Sequence, residues 1–184
     1  MAHDSQLRFI ADTRYNFPKF FKSCRVLEIG SLDINGSVRQ FFEDCDFTGV
    51  DIGPGNGVDV VCQGQLFAGE DKSYDTVLSC ECFEHNPFWL ETFFNMWRMA
   101  KPGGFVLFTC ATTGRPEHGT AAHHPYGSPL TVEKGWNYYQ NLTESDFRAP
   151  LNFDYLFERF QFVSQTNREP QDLLFWGIKR SAPP

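Results

Sequence analysis

The stretch RVLEIGSLDING, residues 25–36, decides the fold. Its first five residues form a short apolar run of the kind a buried parallel strand makes, and a turn containing Gly30 and Gly36 follows at once. Val38, Phe41 and Phe42 then fall at helical spacing, and a second run, Phe47 to Ile52, ends at Asp51 and a Pro-Gly-Asn-Gly turn. The unit reads strand, helix, strand.

Upstream, Ser5 to Arg14 predicts an amphipathic helix that Pro18 breaks. Downstream, strands are predicted at Val58 to Cys62, Tyr74 to Ser79 and Phe105 to Cys110. Between the last two lies a helix, with Asn86 as its cap, Pro87 in its first turn, and Leu90, Phe93, Phe94 and Trp97 as its apolar face. Lys101-Pro102-Gly103-Gly104 ends it. A helix start is predicted at Thr143 to Asp146, and two β-like runs, Phe157 to Thr166 and Asp172 to Lys179, read as a closing hairpin. Strands alternating with helices predict an α/β fold with a mostly parallel sheet and an antiparallel edge. Residues 111–140 form a polar segment longer than a compact domain uses as a plain connection, and are read as a substrate-side insertion within one domain spanning 1–184.

The chain has 184 residues, 20 of them phenylalanine, and a net charge of -7. That charge disfavours a phosphate-binding surface and so excludes nucleic acid as the expected partner. Without an apolar span or a signal segment, the expectation is a cytoplasmic protein with no membrane partner; its oligomeric state is not readable. Six cysteines, several beside apolar runs, do not form the dense pattern of a secreted disulfide framework.

In a parallel sheet the ligand sits beyond the carboxyl ends of the strands where the winding reverses, here the loops after strands one, two and four. The first loop fails the dinucleotide pattern G-x-G-x-x-G, since Leu32 and Asn35 occupy the second and third glycine positions. A pyrophosphate would meet side chains there, which counts against a nicotinamide-dependent oxidoreductase. Tyr15-x-x-x-Lys19, with the spacing of a dehydrogenase dyad, precedes the first strand and is set aside. Asp51 stands where a carboxylate can accept hydrogen bonds from ribose hydroxyls.

RVLEIG, TGVDIGPG (48–55), SYDTVLSCECFEH (73–85) and KPGGFVLFTC (101–110), in this order, resemble the successive motifs of class I S-adenosylmethionine-dependent methyltransferases of the small-molecule, type 11-like kind. The resemblance covers about half the chain. It implies a Rossmann-like, doubly wound sheet of seven strands ending in an antiparallel hairpin, with S-adenosylmethionine as cofactor, S-adenosylhomocysteine as product and a small-molecule acceptor. It assigns Glu28 and Gly30 to the methionine part of the cofactor, with Ser31, Asn35 and Gly36 lining the same turn. Asp51 and Ile52 flank ribose and adenine. Gln63, Gly64 and Gln65 lie where the adenine edge is met, although Gln63 replaces an acidic residue common in the family. Cys80 and Glu81 pass beside the amino-acid portion, and Glu84-His85 matches a frequent Glu-His pair, which makes His85 a catalytic candidate.

The long segment adds His118, His123 and His124 as candidates to deprotonate or orient the acceptor, supported by Glu117 or Tyr126, or else as residues that fold a lid. The same histidines with Glu117 could hold a metal, but adjacent histidines point apart and no metal site is expected. Cys80-x-Cys82-x-x-His85 reads as packing rather than zinc binding. Trp136, Tyr138 and Tyr139 are either an acceptor pocket or core. A module that binds the adenosyl ligand without catalysis remains the alternative from another class.

Overall fold

The computed structural model describes residues 2–181. Seven strands form one sheet in the order β3-β2-β1-β4-β5-β7-β6: β1 (Arg25–Ile29), β2 (Asp46–Asp51), β3 (Val60–Val61), β4 (Tyr74–Cys80), β5 (Ala100–Ala111), β6 (Phe157–Gln165) and β7 (Asp172–Lys179). β1 pairs in parallel with β2 and β4, and β4 with β5. β7 runs antiparallel to both β5 and β6. The winding reverses between β1 and β4, so the loops after these two strands bound a crevice.

Successive side chains of a strand point to opposite faces. Val26, Leu78, Phe105 and Leu107 therefore pack with Ile10, Phe20 and Phe21 on one side. Leu27, Val77, Val106 and Phe108 pack with Phe93, Phe147, Phe153 and Phe175 on the other. The phenylalanine excess is mainly this second layer, where Phe108 stacks on Phe147 at 4.5 Å and on Phe175 at 4.9 Å between ring centroids. Two helices of three turns or so carry the flanks, α1 (Asp4–Asn16) and α2 (Trp89–Met99). Three short ones follow: α3 (Pro129–Glu133), α4 (Glu144–Arg148) and α5 (Phe153–Leu156). α4 opens with a capping box between Thr143 and Asp146.

Several expectations shift. The helix expected after β1 is a single 3-10 turn, Val38–Phe41, because the chain must re-enter the sheet at Asp46; Phe42 leaves it extended to stack on Phe21 at 4.8 Å. The third strand shrinks to an exposed edge pair. α2 begins after Asn86-Pro87 rather than on it, since Asn86 accepts from the Phe88 amide and donates to Thr92 Oγ1, closing a turn ahead of the helix. Its core face is Thr92, Phe93, Met96 and Met99, and Phe94 is exposed. Lys101 to Gly104 lies within β5, where the register against β4 shifts. Among the described residues no helix is long and apolar enough to cross a membrane.

Candidate functional site

Beyond the ends of β1, β2 and β4 lies a cavity with an open mouth. Its floor follows from local chemistry. Gly30 turns the chain out of β1 at φ +80°, and a Cβ there would stand 2.6 Å from Cys82 Sγ, so the loops after β1 and β4 touch through the missing side chain. Asp51 ends β2 and ties the first loop down: its carboxylate accepts from the Leu32 amide at 2.9 Å and the Ile52 amide at 2.7 Å. Asp33 accepts from the Gly36 amide and closes the turn.

Glu28, Gly30, Ser31, Asn35 and Gly36 all line the cavity, as do Asp51, Ile52, Gly64, Cys80 and Glu81. Gln63 and Gln65 do not: they hydrogen-bond to each other at 2.9 Å beside it, and only Gly64 between them reaches it. Gly64 sits so close to Ile29 and Thr92 that a Cβ would clash with both. The roof comes from two segments. The long loop supplies Ser128 to Thr131 and Trp136, with Leu130 packed over Gly53, and the amino-terminal region supplies Ala2 and Gln6. Asn35 donates to the Ala2 carbonyl, joining roof to floor.

Burial pushes the Glu28 carboxyl up to about 8 against the pull of Arg39, so at neutral pH it holds its proton. Glu28 Oε2 and Ser31 Oγ are buried in the cavity wall with no hydrogen-bond partner. Burial also raises Asp51, opposed by its two amide donors.

A polar network behind the cavity was invisible in the sequence. Glu81, with φ +53°, accepts from Thr109 Oγ1 at 2.9 Å and lies 2.9 Å from Arg115 Nη1 and 3.3 Å from His3 Nε2. Asp172 of β7 pairs with the same Arg115 and accepts from Ser5. Burial alone would raise Glu81, but His3 and Arg115 hold it well below the carboxylate range; burial and Glu81 raise Asp172 to about 6. Three segments far apart in sequence are thereby held together around the Glu81 carboxylate.

The four candidate histidines part company. His85 is buried and lines the cavity. His118 stands behind it, its ring edge-on at 4.9 Å between centroids, with Tyr139 5.0 Å from His118. His123 and His124 are exposed, the first 3.1 Å from Glu117 and the second hydrogen-bonded to Tyr126. Adjacent residues in this loop cannot both turn inward, and these two turn outward. Burial and the neighbouring His118 lower His85 to about 3, and burial lowers His118, so both imidazoles are neutral at neutral pH. Of the candidate aromatics, Trp136 lines the cavity and Tyr139 packs between the inner histidines.

A family model described as a methyltransferase domain matches residues 1–167. A comparison with curated proteins found no match. Among solved structures the chain is similar to phosphoethanolamine N-methyltransferase 2 of Haemonchus contortus in complex with phosphomonomethylethanolamine and S-adenosylhomocysteine. The TM-score is 0.60 at 17% identity, over 92% of this chain and 52% of that one. A second structure of that enzyme, with S-adenosyl-L-methionine, matches at TM-score 0.59 and 18% identity, again over 92% and 52%. The 1,6-didemethyltoxoflavin-N1-methyltransferase of Burkholderia thailandensis, with 1,6-didemethyltoxoflavin and S-adenosylhomocysteine bound, matches at 0.62 and 16%, over 95% and 78%. The chain thus spans about half the length of the first of these structures. At these identities the likeness shows the fold.

Proposed function

The chain belongs to the class I S-adenosylmethionine-dependent methyltransferase family, and on that premise we propose that its cavity holds S-adenosylmethionine and transfers the methyl group to a small-molecule acceptor. The observation that carries this reading is the cavity at the ends of β1 and β2, whose wall holds the Asp51 carboxylate and the buried, unpartnered Glu28 Oε2 and Ser31 Oγ. A buried carboxyl without a partner is costly, and an ammonium group removes that cost by pairing with the ionised form. The cofactor has an ammonium at its methionine end and a ribose with two hydroxyls, but no phosphate. The floor suits those groups: a carboxyl at Glu28, a carboxylate at Asp51 with lone pairs beyond its two amide bonds, and no glycine-lined approach for a pyrophosphate. Three neighbours crystallised with S-adenosylmethionine or S-adenosylhomocysteine support the same ligand.

The cofactor supplies a methyl group on a cationic sulfur, ready for in-line attack. The protein's own share is positioning and exclusion of water. Gly30, Ser31, Asn35 and Gly36 shape the methionine end, Asp51 and Ile52 the ribose and adenine, Gly64 the adenine edge, and Cys80 the strand wall. Leu130 and Trp136 cover the mouth. His85, a neutral imidazole in the wall, shapes the acceptor end of the cavity, and His118 packs behind it. Glu81 anchors the roof. The negative charge favours metabolite-sized acceptors over a nucleic acid.

The test is S-adenosylhomocysteine release from purified protein given S-adenosylmethionine and panels of oxygen, nitrogen and carbon nucleophiles of metabolite size. Acceptor-dependent release is the expected result. Tight cofactor binding with no release across all panels would contradict catalysis and leave a binding module.

A further inference from the structure

Glu84, His85 and His118 present ligand-type atoms that all lie within 4.8 Å of one another. The carboxylate oxygens of Glu84, both ring nitrogens of His85 and Nε2 of His118 are buried and have no hydrogen-bond partner. Glu84 is fully buried and His85 is 2% exposed, so solvent does not satisfy them. Five buried polar atoms without partners in three neighbouring side chains are a large uncompensated cost.

The orientation of His118 is informative. Its Nδ1 lies 3.0 Å from the Pro116 carbonyl oxygen, which can only accept, so Nδ1 carries the proton and Nε2 keeps a free lone pair. A ring nitrogen donating to a backbone carbonyl while the other is held open is the arrangement that fixes a metal-binding imidazole. Gly119, at φ +64°, lets the loop close on His85: a Cβ there would be 2.6 Å from His85 Cε1. The loop is therefore shaped to bring His118 against His85.

We propose that Glu84, His85 and His118 form a binding site for a divalent transition-metal cation of the zinc class, with coordination positions left open toward the cavity. Two imidazoles and one carboxyl group, which gives up its proton when it ligates an ion, make a donor set suited to such ions and poorly suited to calcium or magnesium, which take oxygen ligands. In a site with ligands about 2.0–2.2 Å from the ion, the donor atoms are closer together than here, and short rotations of the three side chains bring them in. This site departs from both metal patterns weighed in the sequence: Cys80 and Cys82 contribute nothing, and His123 with Glu117 stays at the surface. With His85 in the cavity wall, a bound cation would hold and polarise an acceptor oxygen. That use rests on the methyltransferase reading, whereas the site does not.

The test is calorimetric titration of metal-stripped protein with Zn²⁺, without any adenosyl ligand, and metal analysis of the protein after dialysis. The expected result is one ion per chain with micromolar or tighter affinity, weakened roughly 100-fold or more by Glu84→Gln and by His118→Ala. Glu84→Gln keeps the size of the side chain, and melting curves check that each variant is folded. Three other sites must be told apart: the cluster of His3, Glu81 and Asp172, the Cys24 and Cys45 sulfurs, 3.3 Å apart, and the exposed His123 with Glu117. His3→Ala, Cys45→Ser and His123→Ala should leave the affinity unchanged. Absence of Zn²⁺ binding in the wild type, full affinity in folded Glu84→Gln and His118→Ala, or loss in His3→Ala, Cys45→Ser or His123→Ala would each overturn the proposal. Because the readout involves no methyl transfer, its failure is separate from failure of the functional reading.

Discussion

Replacing Glu28 with glutamine should change stability in a way that depends on pH, and the size follows from burial. The folded protein holds the Glu28 carboxyl at about 8, against 4.5 for an ordinary glutamate. Between those values the unfolded chain has released the proton and the folded chain has not. The folded state therefore binds more protons, and its stability falls as pH rises through that window. At about 1.4 kcal/mol per pH decade the whole loss is at most about 5 kcal/mol. Water reaching the cavity lowers it, and we expect about 2–3 kcal/mol. Glutamine does not ionise, so the variant is spared this loss; any cost of its own amide is the same at every pH. Melting temperatures of ligand-free wild type and Glu28→Gln should differ little at pH 5. At pH 8.5 the variant should have gained roughly 4–12 °C relative to that difference. A difference that stays constant from pH 5 to 8.5 would refute the assignment of Glu28 as a buried, protonated acid.

Other substitutions test other joints. Arg115→Ala leaves Glu81 and Asp172 facing each other without their cation, and should cost about 3–5 kcal/mol at pH 8 by urea unfolding, with partial recovery near pH 5 as Asp172 takes up a proton. An equal cost at both pH values would count against the network. Gly119→Ala places a methyl group against His85 in a left-handed backbone, and should lower stability by about 1–3 kcal/mol and shift the His85 ring resonances in an NMR spectrum. Unmoved resonances would contradict that packing. Phe108→Ala removes the ring between Phe147 and Phe175 and should cost about 3–5 kcal/mol in a denaturant melt, whereas Phe94→Ala, on the exposed side of α2, should cost less than about 1 kcal/mol.

The sheet was legible because parallel strands covered on both faces are predominantly apolar, and the short runs within Arg25–Ile29 and Tyr74–Cys80 can be read within a residue or so. The loop residues at their ends followed from topology. What failed was governed by contacts that spacing cannot show. Val38, Phe41 and Phe42 have helical periodicity, yet the chain left before Asp46 allows only one tight turn. Leu90, Phe93 and Trp97 pack on the core as their spacing predicts, but Phe94 is exposed and Met96 and Met99 turn inward in addition. Gln63 and Gln65 were placed by analogy, and their mutual hydrogen bond turns them away from the cavity. The triad of His3, Arg115 and Asp172 on Glu81 joins both ends of the chain, and no local pattern announces it. In the sequence Glu84 is only one half of a Glu-His pair, and its burial without partners is what marks it as a ligand candidate.

The central claim is tested most directly by calorimetric titration of the purified protein with S-adenosylmethionine, in parallel with NAD and with Asp51→Ala. The account predicts one S-adenosylmethionine per chain at micromolar affinity, no binding of NAD, and affinity lowered about tenfold or more when Asp51 can no longer accept from the ribose. Absence of S-adenosylmethionine binding, or equal affinity in Asp51→Ala, would contradict it.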